Sequence, residues 1–307
     1  MKRLIVLCLF ALAARADTVE HTRKNIQVLQ GLQEDDLFPA MNVVAQSLGV
    51  HCDYCHVKHD KTWVWESDEK RPKLIARDMI RMMRTIDSAS FSGRDAVTCY
   101  SCHHGSTTVA AVPPLPPIDP TLAPPPPTLP DVDTIFRHYF TAVGANTAQP
   151  VTFDLNVERP AGNARTRVTV APPDQYELVI TREGKTTTQN VNAASSAQLL
   201  RIVHIYDVVK AQPAAEMNVT GIEKIGGRDA YVVAHPGGAD YFDVESGLLV
   251  RTTHVTNTSL VPMPDQVDYE DYRDVDGIRV PFRIRTTTAA PFDTATRIVT
   301  AVKRGAP

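Results

Sequence analysis

The segment Cys52-Asp-Tyr-Cys55-His56 is repeated, with two different middle residues, as Cys99-Tyr-Ser-Cys102-His103. Both segments have the pattern C-x-x-C-H, which is the spacing of covalent c-type haem attachment. Two thiols one short turn apart can bond to the two vinyl groups of one porphyrin, and the histidine that follows is carried under the ring, where its imidazole can bind the iron. The sequence therefore predicts two covalently bound haem c groups. The predicted attachment residues are Cys52, Cys55, Cys99 and Cys102, and the predicted proximal iron ligands are His56 and His103.

Two other uses of paired cysteines must be weighed against haem attachment. A zinc site built from two C-x-x-C pairs usually separates them by about 15–20 residues, whereas Cys55 and Cys99 lie much further apart. Disulfides or a thiol redox centre would suit an exported protein. Neither explains why a histidine follows each pair, and nothing like a thioredoxin βαβ pattern surrounds them.

A helical segment carrying a methionine precedes the first motif. Met41, Ala45 and Leu48 recur at helical spacing, and Gly49 is a suitable stop just beyond them. Core filling is the usual role of methionine, but thioether sulfur is also a common partner to histidine on a haem iron. Met41 is the only methionine between the predicted leader and Cys52. We therefore predict that it is the distal ligand of the first haem.

A second helical segment precedes the second motif. Its apolar stripe follows the spacing i, i+4, i+7, i+11 and consists of Ile75, Met79, Met82 and Ile86. From spacing alone, Met79, Met82 and Met83 compete for the distal position of the second haem.

Three further histidines could replace methionine as distal ligands, namely His51, His59 and His104. Ligation by two histidines would be expected to lower the reduction potential relative to Met/His ligation. His51 and His104 adjoin haem-attachment residues, which makes coordination of the same haem awkward. We expect both to face solvent or to bond to propionates, and His59 stays an alternative ligand.

The motif region resembles the photosynthetic reaction centre cytochrome c subunit family. The resemblance covers about a third of the chain and is carried by residues 25–28, 48–56, 76–83 and 97–105. The repeat of that family is a helix with an axial methionine, a turn, and a short helix that holds C-x-x-C-H. Aligning its I-R-M segment with Ile80-Arg-Met82 implies that Met82 is the second distal ligand. Members of the family carry four haems as two such pairs, whereas this chain has one pair.

The resemblance also implies the class of partner. It predicts redox proteins as electron donor and acceptor, and a membrane-bound reaction centre or respiratory complex is among the candidates. A dihaem relative in a non-photosynthetic bacterium is an equally good expectation.

The first 16 residues have the features of a secretory signal. A basic start, Lys2-Arg3, is followed by an apolar run over residues 4–14, too short for the roughly 20 residues that span a bilayer. Ala14-Arg-Ala16 offers a cleavage site. We predict a cleaved signal peptide that contains Cys8, and thus a periplasmic protein, with a retained membrane anchor as the alternative. The resemblance agrees, since it implies haem attachment outside the cytoplasmic membrane.

Length and charge bound the remaining possibilities. The 307 residues leave room for about two domains. The formal net charge is −3, and lysine and arginine are scattered rather than clustered, so we expect no nucleic-acid partner. Mixed charges at residues 58–61 and 68–73 predict a solvated loop and a helix entry, with a docking rim as the alternative.

A proline-rich segment divides the chain. Half of residues 111–130 are proline, which removes backbone donors and fixes φ, so that neither helix nor sheet is expected. The predicted organisation is a signal peptide (1–16), a small all-α c-type dihaem domain (17–110), a Pro-rich linker (111–130) and a second domain (131–307).

The second domain has the pattern of an α+β fold. A helix is predicted over 131–144 and another over 195–211, among eleven predicted strands: 151–157, 166–170, 176–181, 186–191, 217–222, 230–234, 239–244, 248–255, 266–273, 278–287 and 294–302. This order favours a curved antiparallel sheet packed on helices. Residues 241–251 and 269–282 resemble the half-barrel of periplasmic lipoprotein carriers. We expect a plain core or a protein-docking role there, with apolar ligand binding as the alternative.

These observations predict an exported dihaem c-type cytochrome that carries single electrons between redox partners and is not an enzyme. Two alternatives have different chemistry. One is a haem enzyme of peroxidase or oxygenase type with one open iron site. The other is a periplasmic lipid- or lipoprotein-binding protein with a redox-sensing haem domain.

Overall fold

The computed structural model describes residues 17–113, 115–116, 127–144, 151–171, 175–191, 216–290 and 293–305. The predicted signal peptide, most of the proline-rich segment and the predicted helix 195–211 lie outside the described residues. The chain divides into two compact units. The first unit is Met1–Ala110 with Asn257–Val261, and the second is Ala111–Thr256 with Pro262–Pro307. In the described ranges, no helix is long and apolar enough to cross a membrane.

The first unit is mainly helical. Its elements are α1 (Val19–Thr22), α2 (Glu34–Leu48), α3 (Cys52–Cys55), β1 (Val57–His59), β2 (Thr62–Val64), α4 (Arg71–Ser90) and α5 (Cys99–His103). Helix α2 begins four residues before the predicted start at Phe38, with Pro39 inside it. Three acidic residues in its first turn, residues 34–36, favour that earlier start because the N-terminus of a helix carries partial positive charge.

The prediction of an all-α first domain was wrong in one element, because residues 57–64 form an antiparallel hairpin. Lys58 pairs with Trp63 across the two strands, and the Lys58 ammonium lies 4.8 Å from the centroid of the Trp63 ring. The indoles of Trp63 and Trp65 stack with centroids 4.6 Å apart. Aromatic and β-branched residues favour strands, so this pairing outweighs the charged residues that predicted a loop.

Helix α4 buries the face opposite to its predicted apolar stripe. Its buried residues are Arg77, Ile80, Met83 and Asp87. Of the stripe, Ile75, Met79 and Met82 are exposed. The helix prediction is confirmed, and its apolar side chains point mainly toward the surface of the unit.

The second unit is built on one large, curved antiparallel sheet, as predicted. Its elements are α6 (Val132–Val143), β3 (Val151–Glu158), β4 (Ala164–Ala171), β5 (Gln175–Arg182), β6 (Lys185–Val191), β7 (Asn218–Ile225), β8 (Arg228–His235), β9 (Gly238–Asp243), β10 (Leu249–Asn257), β11 (Pro262–Val275), β12 (Ile278–Thr288) and β13 (Ala295–Arg304). The strand order is β6-β5-β4-β3-β13-β12-β11-β10-β9-β8-β7. Two meanders are thus joined where β3 pairs with β13.

Helix α6 packs on one face of this sheet. Its buried residues Ile135, Phe136 and Tyr139 share a core with sheet residues that include Phe242 and Leu249. A second cluster, centred on Phe153, Leu155 and Val280, fills the region around β3, β4, β12 and β13. The helix and its packing on the sheet agree with the predicted α+β architecture.

Candidate functional site

A cavity of about 520 Å³ lies beside the first C-x-x-C-H motif. Its wall includes Met41 from α2, Cys52 and Cys55 from α3, the adjoining His56, and Ile80 from α4. The lining is mainly apolar, and the volume is in the range of pockets that bury a cofactor-sized ligand. The structure thus brings four residues predicted for the first haem to one cavity.

The orientation of His56 is set by a backbone carbonyl. Its Nδ1 lies 3.3 Å from the carbonyl oxygen of Trp65, and its ring meets the Trp65 indole edge to face at 5.1 Å. A carbonyl can only accept, so Nδ1 carries the hydrogen and Nε2 of the neutral ring has the free lone pair. Burial lowers the pKa of His56, and the nearby charge of Lys73 lowers it further. Both effects favour the neutral imidazole that a metal requires.

No disulfide joins the four motif cysteines, all of which lie within the described residues. Burial raises the pKa of the Cys55 thiol, although Lys70 opposes the shift. Burial likewise raises the pKa of the Cys99 thiol. As unmodified thiols, both side chains are therefore protonated near neutral pH.

A capping box organises the second motif. The Thr98 hydroxyl accepts a hydrogen bond from the amide of Ser101 at 3.3 Å, and the Ser101 hydroxyl accepts one from the amide of Thr98 at 3.0 Å. This reciprocal pair starts α5 at Cys99. His103 Nδ1 lies 2.9 Å from the carbonyl oxygen of Ser106. Its Nε2 is therefore free, as in His56.

Asp87 supports the second motif, although the sequence pattern did not predict this role. Its carboxylate, 5 % exposed, accepts hydrogen bonds from the amides of Ala96 at 3.2 Å and Val97 at 2.9 Å. The contacted amides lie just before the Thr98 cap, so Asp87 fixes the approach of the chain to α5. The signal available in the sequence was an acidic residue on the face of α4 that the structure buries. The sequence pattern had instead predicted the opposite, apolar face as the functional one.

Asp87→Ala is expected to destabilise the first unit by about 2 kcal/mol, because two part-buried hydrogen bonds to a charged acceptor are lost. Asp87→Asn keeps one acceptor oxygen and is expected to lose less than half as much. Urea unfolding followed by tryptophan fluorescence measures both losses, since both tryptophans of the chain, Trp63 and Trp65, lie in this unit. Equal stability of the alanine variant and the wild type would contradict this role.

The candidate distal methionines have different surroundings. Met41 lies in the wall of the cavity. Met79 and Met82 are 40 % and 47 % exposed, while Met83 is 8 % exposed on the buried face of α4. Met82 and Met79 thus share the open face of the helix, and Met83 packs inside the unit.

The alternative histidines are dispersed. His51 lies in the cavity wall, directly before Cys52. His59 ends strand β1 and is exposed. His104 has a positive φ of 47° and its ring meets Tyr100 edge to face at 5.4 Å.

Two cations hold the loop that supplies the Trp65 carbonyl. Lys73 Nζ donates to the carbonyl oxygens of Trp65 at 2.8 Å and Ser67 at 2.7 Å. Arg77 lies 2.9 Å from the Asp68 carboxylate and donates to the Asn25 carbonyl at 3.1 Å. The Arg77 guanidinium holds the pKa of Asp68 well below its ordinary range. These bonds fix the loop opposite His56.

In the first unit, the segment that holds the first motif (α2 and α3) packs against the segment that holds the second motif (α4 and α5). Helix α5, which carries the second motif, contacts α2, and α3, which carries the first motif, contacts α4. At the end of α2, Gly49 has φ +66°, and a Cβ built on it would stand 2.1 Å from the carbonyl oxygen of Gly105. The amide of Gly105 donates to the Ser47 carbonyl at 2.9 Å. Each motif is therefore positioned by a helix from the other segment.

Comparison with known families agrees with this arrangement. Residues 4–113 match the family described as the photosynthetic reaction centre cytochrome C subunit. The resemblance predicted from the two motifs is confirmed. The match lies in the part of the chain that holds both C-x-x-C-H motifs and both methionine-bearing helices.

Two curated relatives are similar over the same part of the sequence. The chain is 31 % identical over 87 residues to a photosynthetic reaction center cytochrome c subunit of Thermochromatium tepidum, covering 27 % of this chain and 20 % of that protein. It is 30 % identical over 107 residues to cytochrome c-554 of Chloroflexus aurantiacus, covering 30 % of this chain and 25 % of that protein. The chain thus spans a quarter or less of the length of each of these relatives.

The second unit has its own structural likeness. A LolA superfamily protein from Nitrosomonas europaea is similar with a TM-score of 0.40 and 13 % identity, over 58 % of this chain and 96 % of that chain. The likeness concerns the C-terminal part. It carries no functional information for this chain.

Proposed function

We propose that the chain is an exported dihaem c-type cytochrome that carries single electrons between redox proteins. The observation that supports the proposal most directly is the cavity that gathers Cys52, Cys55, His56 and Met41 beside a matched cytochrome family segment. An apolar cavity of this size suits a porphyrin, and its donor set of thiol, imidazole and thioether suits iron.

Each residue has a defined task in this proposal. Cys52 and Cys55 would hold the first haem covalently, with His56 as proximal and Met41 as distal ligand. When bound, a haem ligated by histidine and methionine supplies a one-electron couple. The Trp65 carbonyl fixes the tautomer and ring plane of His56. The mainly apolar wall limits the access of water, which is one of the factors that set the potential of such a site.

The second site would use Cys99 and Cys102 for attachment and His103 as the proximal ligand. His103 has the same supporting feature as His56, a backbone carbonyl at Nδ1. Met82 is the proposed distal ligand, and its open position on α4 leaves its sulfur accessible. Met79 shares that face, whereas the burial of Met83 disfavours it. The exposed apolar stripe of α4 offers this second haem a surface to pack on.

The same family match supports a location and a class of partner. We propose export to the periplasm through the predicted signal peptide, because covalent haem attachment belongs to that compartment in the family that the sequence resembles. The proposed partners are redox proteins, with a membrane-bound reaction centre or respiratory complex among them.

Attachment is tested by intact mass under denaturing conditions, which retains only covalent haem. The wild type is expected to carry two haems. Cys52→Ser/Cys55→Ser and Cys99→Ser/Cys102→Ser are each expected to carry one, because each pair anchors its own porphyrin. Asp53→Ser changes a residue inside the first motif that the C-x-x-C-H pattern leaves open, so it is the control and should leave the haem count unchanged.

Peptide mapping of the wild type keeps this test decisive if a double variant fails to fold. Haem should be found on the two peptides that contain residues 52–55 and 99–102. A wild-type protein with no haem, or with haem on one peptide alone, would contradict the proposal.

A further inference from the structure

The carbonyl oxygen of Trp65 receives two hydrogen-bond donors. Lys73 Nζ lies 2.8 Å from this oxygen and His56 Nδ1 lies 3.3 Å from it. The Lys73 side chain is only 12 % exposed and is held by the Ser67 carbonyl at 2.7 Å and the Asp68 carboxylate at 3.3 Å. The ammonium is therefore fixed beside the acceptor of His56.

A shared acceptor weakens the longer of the two bonds. A hydrogen bond from a charged donor is shorter and stronger than one from a neutral donor, so the ammonium takes the larger part of the lone-pair density of the oxygen. The N–H of His56 is then less polarised. An imidazole whose N–H is held weakly donates less electron density through its other nitrogen.

In the second motif, the hydrogen bond from the proximal histidine to its carbonyl acceptor is shorter. His103 Nδ1 lies 2.9 Å from the Ser106 carbonyl oxygen, which is 0.4 Å closer than His56 Nδ1 is to its acceptor. The hydrogen bond from Nδ1 to the backbone carbonyl is therefore weaker in His56 than in His103, although the two motifs are alike.

We propose that Lys73 is a positioning residue that raises the reduction potential of the first haem site by sharing the Trp65 carbonyl with His56. This inference rests on the proposed function. A weaker donor imidazole stabilises the oxidised iron less. The reduction potentials of the two haem sites would thereby differ because of a side chain that binds neither iron.

The test is a redox titration of the full-length haem-loaded protein, followed by its visible spectrum. In Lys73→Met, the ratio of reduced to oxidised first site at a fixed solution potential should fall by about threefold to tenfold, tenfold corresponding to about 59 mV for a one-electron couple. The second site should not move. Lys73→Arg keeps a charged donor and should stay within about twofold of the wild type.

Lys70→Met controls for charge alone. Lys70 is the N-cap residue of α4, three residues before Lys73, but its Nζ donates to the carbonyl of Asp53 rather than to that of Trp65. Its replacement should change the ratio less than twofold. Equal shifts in the Lys70 and Lys73 variants, or equal shifts at both sites, would overturn the proposal.

Proton NMR of the reduced, diamagnetic wild type provides a second readout that needs no variant. The Nδ1 proton of His56 should resonate upfield of that of His103 and exchange faster with solvent, because its hydrogen bond is weaker. Identical signals would overturn the proposal. Failure of the proposed function would show differently, as the loss of covalent haem from the first motif.

Discussion

Gly49→Ala is expected to destabilise the first unit by about 2–5 kcal/mol. Gly49 has φ +66°, which disfavours any side chain, and the added Cβ would stand 2.1 Å from the Gly105 carbonyl oxygen. That oxygen belongs to backbone, so the ends of α2 and α5 must separate. Urea unfolding followed by tryptophan fluorescence measures the loss.

Gly31→Ala is the matched control for this prediction. Gly31 also has a positive φ, +82°, but a Cβ built on it meets nothing within 4 Å. Gly31→Ala therefore measures only the free-energy cost of placing a side chain at a positive φ, about 1–2 kcal/mol. A loss at position 49 no greater than that at position 31 would show that the close approach of α2 and α5 does not hold the two motifs together.

Phe242→Ala is expected to destabilise the second unit by about 3–5 kcal/mol. Phe242 is 1 % exposed, and its ring lies 5.4 Å from the rings of both Phe136 and Tyr139. Removing it leaves a cavity between α6 and the sheet. Hydrogen exchange measured on peptides from β8 to β10 should speed up by at least about a hundredfold where exchange requires unfolding of the unit.

Val255→Ala provides the comparison within the same sheet. Val255 lies on β10 and is 37 % exposed, so we expect a change of about 0.5 kcal/mol. Peptides from α4 should exchange as in the wild type in both variants. If Phe242→Ala and Val255→Ala accelerate exchange equally, Phe242 is not a core residue of this unit.

The second unit was largely predictable because its signals are local. The turn at Asp276-Gly277 has two positive φ values, 51° and 80°, as a tight hairpin requires, and its neighbouring strands were predicted within a few residues. All eleven predicted strands of the described sheet are present. The pairing of β3 with β13 was not predictable in this way, because it joins residues from opposite ends of the unit.

The first unit shows where local pattern is insufficient. The apolar stripe through Met79 and Met82 predicted a helix correctly, but an apolar stripe alone does not say whether a protein core or a cofactor covers it. Burial of Arg77 and Asp87 on the other face depends on partners outside the helix, Asn25 and Val97 among them. The four cysteines and two histidines were predicted from chemistry, and their roles as haem ligands stay predictions.

A coulometric titration of the purified protein, recorded with its visible spectrum, counts the electrons that the two proposed haems take up. We expect two electrons per chain, taken up in one-electron steps by two low-spin haems that bind neither cyanide nor carbon monoxide. A colourless protein would contradict this expectation, as would uptake of one electron per chain or an iron that binds carbon monoxide.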